Sequence, residues 1–181
     1  MMESTEQIKN GVLAFQKGRL SQWYGAFSGQ QGGFVYDTVK FNCCEQWMMA
    51  QKAVLFNDEE SYIKVMSTSR PAEQKKIGRS VQGYEQSHWD SYKRNIVYFG
   101  NLLKFSQNSD LRQFLKETGD LIIVEASPWD NVWGCGTDLE DKDTYDPEKW
   151  KGENLLGKAL MKAREAVNQD GIINFRFGDD R

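Results

Sequence analysis

A chain of 181 residues, 39% of them apolar, is sized for a single domain with its own core. Its 23 Lys and Arg against 26 Asp and Glu leave a net charge of −3, which argues against a strongly basic nucleic-acid face. One His excludes a multi-imidazole metal site, and three Cys are too few for a four-thiolate zinc site. The odd number of Cys, with Cys43 and Cys44 adjacent, argues against a disulfide framework and for reduced thiols. The start, Met1-Met2-Glu3-Ser4-Thr5-Glu6, lacks the apolar stretch of a signal peptide. No run approaches the ~20 apolar residues of a membrane span, so the expectation is a soluble, cytoplasmic protein with no membrane partner. What stands out is the aromatic content: six Trp, seven Tyr and ten Phe.

In chain order, a first short helix is predicted over Glu6–Phe15. Residues 28–33, rich in Gly and Gln, form a surface loop without the ending of a P-loop or the spacing of a dinucleotide fingerprint. Phe34–Phe41 is predicted to be a hairpin. Asn42, three residues before Glu45, predicts a capping box at the start of a helix over Cys43–Phe56. Shorter helices are predicted at Glu60–Met66 and at Pro71–Ile77, with Pro71 in a first turn. From Glu85 to Ser106, Trp89, Tyr92, Ile96, Phe99 and Leu103 recur at spacings of three and four, the stripe of a long helix. Asp110–Lys116 is a further short helix, and Leu121–Glu125 a strand. The acidic stretch 137–143 is a loop, and Gly152–Val167 carries a second clear helical stripe. In the tail, Ile173, Phe175 and Phe177 alternate with polar residues as in a late strand. The sum is an α+β fold, one domain over residues 1–181, mostly helical with a small sheet.

Three segments carry candidate chemistry. Glu45, Met48 or Met49, and Lys52 share one helix face. Partial burial there raises a carboxyl pKa and lowers an amine pKa, which poises both groups for proton transfer or nucleophilic attack near neutral pH. Spacing alone favours the plainer reading, a capping Glu45 and a solvated Lys52. The second segment, Glu125 to Gly134, ends a strand in a turn with Trp129, Asp130 and Trp133. There indole faces could grip a flat ring and the carboxylate could stabilise a cation; two core tryptophans and an Asx-turn aspartate are equally consistent with it. The third, Trp150 to Gly157, opens the last helix, whose N-terminus favours an anion. The cluster Lys75-Lys76-Ile77-Gly78-Arg79 offers a phosphate contact. His88 has no nucleophile motif around it, so a surface or capping role is expected.

Taken together, these motifs resemble the NADAR superfamily, which includes the YbiA-like N-glycosidases. The helix Glu45-Gln46-Trp47-Met48-Met49-Ala50-Gln51-Lys52-Ala53 is similar to the family's Glu-His-x-x-x-x-x-Lys helix. Lys104-Phe105 resembles its Lys-Phe element. Thr118-Gly119-Asp120, then Glu125-Ala126-Ser127-Pro128, Asp130 and Trp133-Gly134, match its central pattern. Trp150-x-Gly152-x-Asn154-Leu155-Leu156-Gly157 through Arg164 resembles its closing element, so the likeness runs from about Trp23 to Arg164. Two departures are Gln46 in place of the usual His and Tyr36-Asp37-Thr38 without the usual Asp-Gly turn.

The resemblance implies a YbiA-like fold and cleavage of a ribose–nitrogen bond with no cofactor and no metal. Substrates implied are small ribosylated molecules: phosphoribosylamino-pyrimidine intermediates of riboflavin synthesis, or ADP-ribosylated guanine, which a nucleic acid could carry. Glu45, Lys52 and Asp130 fall at catalytic positions. Trp89, Trp133, Asn154, Trp150 and Arg79 are the candidate substrate-binding residues, and the resemblance reverses the spacing argument at Glu45 and Lys52. The competing reading is a non-catalytic module that binds ADP-ribose or a nucleotide.

Overall fold

The computed structural model describes residues 6–169. Two antiparallel strands come first, β1 (Glu6–Lys9) and β2 (Val12–Phe15), where a helix is predicted from the sequence. The reason is local: Asn10 and Gly11 both take positive φ, 52° and 76°, as a two-residue hairpin turn requires. Asn-Gly between apolar runs is a stronger instruction than the weak helical spacing around it. The tail stretch around Ile173–Phe177 lies outside the described residues.

The predicted hairpin is present as β3 (Phe34–Tyr36) and β4 (Val39–Phe41). Asp37 and Thr38 adopt positive φ themselves, so the turn closes without glycine. Six helices obey the pattern of the sequence: α1 (Cys44–Leu55), α2 (Glu59–Ser67), α3 (Pro71–Arg79), α4 (Gln86–Gln107), α5 (Ser109–Glu117) and α6 (Leu155–Asn168). Between α5 and α6, β5 (Ile122–Glu125) lies parallel to β2, giving a three-stranded sheet in the order β1-β2-β5 with Phe15 opposite Glu125. The loop 137–143 runs into two short 3₁₀ turns, Lys142–Tyr145 and Pro147–Lys149.

Helix α1 is the central element, buried continuously from Cys44 to Ala50 and packed by α2, α3 and α4. The predicted capping box does not form. Cys43 is the N-cap without a side-chain bond, while Asn42 instead donates to the Ser69 carbonyl and accepts from Gln74 Nε2. The Glu45 amide, which the Asn42 side chain would cap in that box, donates instead to the Gln22 carbonyl at 3.0 Å, and the Asn42 amide, which the Glu45 carboxylate would cap, donates to Gln46 Oε1 at 2.8 Å. Gln46 is buried, and both ends of its side-chain amide are bonded. Its Oε1 accepts from Asn42 N, and its Nε2 donates to the Val65 and Thr68 carbonyls, tying α1 to the end of α2.

Trp47 is fully buried at the centre of the core, its Nε1 donating to the Ile96 carbonyl at 2.8 Å. Phe41 and Tyr36 meet it edge-on at 5.1 and 5.3 Å. Phe99 is buried as predicted, but Tyr92 is 43% exposed. It sits on the outer face of α4, its ring against His88. A smaller core, with Val12, Ala14, Val124, Ala126, Cys135, Leu139 and Tyr145, fills the other face of the sheet. The thiols of Cys43 and Cys44 are pushed up by burial to about 11 and about 12, so both stay protonated and inert.

Gly100 of α4 faces Trp47, and a Cβ there would stand 2.5 Å from the indole Cδ1. A rigid indole cannot give way. Gly100→Ala should therefore destabilise the protein by about 1–3 kcal/mol, although Gly→Ala inside a helix ordinarily stabilises by ~0.5–1 kcal/mol. Urea unfolding of the two proteins measures the sign.

Candidate active site

The segment that leaves β2 has no regular structure until β3, so its backbone groups need partners from outside. Lys104 of α4 supplies them. Fully buried, its ammonium donates to the carbonyls of Arg19 at 2.7 Å and Ser21 at 3.0 Å and lies 5.4 Å from the Tyr24 ring centre. One turn earlier, Asn101 donates to Gln22 Oε1. This seating places Trp23 with its Nε1 3.3 Å from Glu45 Oε2.

Glu45 opens onto a cavity of about 780 Å³ whose walls come from this segment, α1, α3, α4 and the turn after β5. The carboxylate is only 3% exposed, and its Oε1 has no hydrogen-bond partner. Burial pushes its pKa up to about 7, against the opposing pull of Lys75, the Trp23 hydrogen bond and Arg79. Two turns on, Lys52 lines the same cavity. Its ammonium lies 4.1 Å from the Tyr84 ring centre and 5.5 Å from that of Trp89. Partial burial, with help from the Arg79 charge, holds its pKa below the usual lysine range.

Helix α3 reaches the cavity because residue 78 is glycine: a Cβ there would run into the Met49 side chain of α1. That close approach brings Lys75 and Arg79 to the cavity wall, so Arg79 stands where the basic cluster suggested, with Lys75 beside it. Trp89, on the first turn of α4, is 8% exposed and forms part of the wall.

The turn after β5 contributes Ser127, Trp129, Asp130, Val132 and Trp133. Asp130 makes an Asx-type turn, its Oδ1 accepting from Val132 N at 3.0 Å and Trp133 N at 2.7 Å, and it lines the cavity as well. The Asx turn and the place on the cavity wall coexist in this aspartate.

Two candidate binding residues lie elsewhere. Trp150 donates from Nε1 to the Thr144 carbonyl and packs on the smaller core. Asn154 is fully buried with φ 50°. Its amide spans two groups of β5, donating to the Ile123 carbonyl and accepting from the Glu125 amide. The amides that open α6 are also occupied, Leu155 and Leu156 donating to the carbonyls of Val132 and Trp133. Those two amides are therefore taken up within the fold and are not available to an anion. Asn154 serves the site from behind, by fixing the strand that ends at Glu125. His88 is exposed on α4, its amide capped by the Glu85 carboxylate.

Sequence reasoning left out Trp23 and Tyr84 and gave Glu125, the start of the 125–134 segment, no role, and all three line the cavity. Only Glu125 had a signal: it ends a strand and points, two residues before Ser127, to the same side. Among the described residues no group of His, Cys, Asp and Glu is arranged to hold a metal ion, and no helix is long and apolar enough to cross a membrane.

Glu45 gives a stability prediction. A carboxyl whose folded pKa is raised from 4.5 to about 7 favours folding below the lower value and loses that contribution as pH rises through the higher one. Relative to wild type, Glu45→Gln should gain stability on going from about pH 5 to about pH 8, by up to a few kcal/mol. Chemical denaturation at the two pH values reads this difference directly.

With this geometry in place, comparison with known proteins is direct. The NADAR domain family matches residues 12–168. An N-glycosidase of Acanthamoeba polyphaga mimivirus is 43% identical over 150 residues, covering 82% of this chain and 87% of the relative. An N-glycosidase of Nostoc punctiforme is 33% identical over 148 residues, covering 81% of this chain and 87% of the relative. The solution structure of the E. coli protein YbiA superposes with a TM-score of 0.71 at 23% identity, over 96% of this chain and 95% of that one. The α+β fold is thus that of YbiA, and the chain belongs to the NADAR family, among its YbiA-like members.

Proposed function

We propose that this protein hydrolyses the bond between C1′ of a ribose and a nitrogenous ring or amine, in keeping with the N-glycosidase names of its relatives. The observation that carries the reading is Glu45: a carboxylate with one unpartnered oxygen, buried at the wall of a cavity that also holds an amine and several indoles. Breaking the C1′–N bond builds positive charge on the ribose. A desolvated carboxylate opposite C1′ stabilises that charge far better than water does. Glu45 and Asp130 are the groups for this role. Trp89 and Trp133 hold the ribose and the flat base between them. Lys75 and Arg79 are placed for a phosphate on the substrate, which gives a near-neutral protein a locally cationic wall.

Lys52 supports a second route at the same site. It makes no ion pair among the described residues and its charged form is disfavoured. A neutral amine there adds to C1′ of the ring-opened ribose and displaces the nitrogen of the base, and water then hydrolyses the resulting imine. The substrates of choice are a phosphoribosylamino-pyrimidine and ADP-ribosylated guanosine, free or on a nucleic acid. Each is a small ribosylated group that the cavity has the volume and charge to accept.

Incubation should release a free aminopyrimidine from the first substrate, unmodified guanosine from the second, or both; release from neither, with binding retained, establishes a binding module instead. Glu45→Gln and Asp130→Asn should each lower kcat by about 10²-fold or more. Full rate in both variants removes this cavity as the site. Borohydride added during turnover separates the two routes. A mass adduct on Lys52 shows the imine, and its absence leaves the carboxylate-assisted path.

A further inference from the structure

Glu125 is the one acidic side chain of the cavity to which the carboxylate-assisted route assigns no task. It ends β5, and its backbone is fixed on every side. Its amide is held by Asn154 Oδ1 at 3.2 Å and its carbonyl by Cys135 N at 2.9 Å. The next amide, of Ala126, donates to the Phe15 carbonyl at 2.8 Å. Gly134 lets the turn after β5 close on this point, since a Cβ there would stand 3.0 Å from the Glu125 carbonyl oxygen. A side chain on so rigid a mount has a defined direction, and it lines the cavity.

Nothing in the fold explains why that side chain is an acid. Among the described residues its carboxyl makes no hydrogen bond and no ion pair, so it caps no helix and neutralises no cation. Burial pushes it up to about 7, with Asp130 and Glu45 adding to the effect and Lys75 opposing it. The charged groups facing it are Glu45 from α1, Lys75 from α3 and Asp130 from its own turn. Lys17, Lys52, Arg79 and Lys93 complete the ring of charge around the cavity.

Buried Glu45 and half-buried Glu125 differ in one decisive respect. Glu45 receives an indole N–H, a donor that favours the ionised form, and Glu125 receives none. Facing one cavity, the two differ in the hydrogen bond each offers its ionised form, and Glu125 is the better placed of the pair to keep a proton.

We infer that Glu125 is the general acid of the N-glycosidase reaction, giving its proton to the departing nitrogen while Glu45 remains ionised beside C1′. The inference rests on the reading of the site as an N-glycosidase. As the C1′–N bond breaks, its electron pair goes to nitrogen, which takes the Glu125 proton. Water then adds its oxygen to C1′ and loses a proton to Glu45. The products are the ribose-bearing fragment with a C1′ hydroxyl and the released nitrogen compound, and transfer of one proton from Glu45 back to Glu125 restores the starting state.

The test is the pH profile of kcat on whichever substrate the wild type cleaves. An acid that must be protonated makes kcat fall on the alkaline side, here near its pKa of about 7. Glu125→Gln should lower kcat by about 10²–10⁴-fold with little change in KM and abolish that alkaline limb. Glu125→Asp, which keeps a carboxyl in a different position, should retain the limb but displace it. A Glu125→Gln rate within about threefold of wild type, or a lower rate with the limb intact, overturns the proposal. If Glu125→Gln does not fold, an alkaline limb undisplaced in Glu125→Asp overturns it equally. Wild-type protein that cleaves the ribose–nitrogen bond of neither substrate overturns the N-glycosidase reading itself.

Discussion

A single buried ammonium organises the working side of this protein. The segment between β2 and β3 has no ladder or helix of its own, yet it must present Gln22 and Trp23 to the start of α1. Lys104, with no exposed surface, grips two carbonyls of that segment and is flanked by the rings of Tyr24 and Phe105. Burying a lysine is costly, and the cost is visible in a pKa held below the usual range by desolvation. Two carbonyl acceptors and two aromatic faces offset it. The grip sets the Trp23–Glu45 contact, and through it the state of the most deeply buried carboxyl of the cavity.

The electrostatics of the cavity are a balance of burial and neighbours. Three acids share it with five cations, in a protein whose net charge is only −3. Desolvation favours the neutral carboxyls of Glu45 and Glu125, and the acids add to this by mutual repulsion. Lys75 opposes it at both. Lys52 is shifted the other way by the same desolvation, with Arg79 as a like charge nearby. A site with carboxyls near neutral and an amine below its normal range holds proton donors and acceptors at ordinary pH. Two backbone features make that crowding sterically feasible: Gly78, which admits α3, and Gly134, which admits the turn after β5.

The tryptophan content divides between these tasks. Trp47 is core, Trp150 seals the smaller core, Trp23 orients Glu45, and Trp89 and Trp133 are cavity walls. Trp129 is 94% exposed at the rim. An aromatic count is therefore no measure of a binding site. Trp150 and Trp133 sit in similar sequence surroundings, each close to glycine and a charged residue, and only their places in the fold, one on the smaller core and one at the cavity, separate their roles.

Helices α1, α4 and α6, the hairpin β3–β4 and strand β5 are legible in the chain, because apolar periodicity and turn residues act over a few positions. The Glu45–Lys52 spacing likewise places both groups on one face whatever surrounds them. The first hairpin was legible too, in Asn10-Gly11, but a weak helical spacing masked it. Tertiary structure alone decided the rest. Whether Asn42 caps α1 depends on the Gln22 carbonyl, which arrives from upstream in the chain and takes over the Glu45 amide that Asn42 would cap. Whether Asn154 meets a ligand or braces β5 depends on a strand distant in sequence, to which its side chain is bonded. Glu125 becomes notable only when Glu45 and Asp130 are found beside it. Burial and charge–charge coupling depend on distance through space, and a single chain read in order holds no record of that distance.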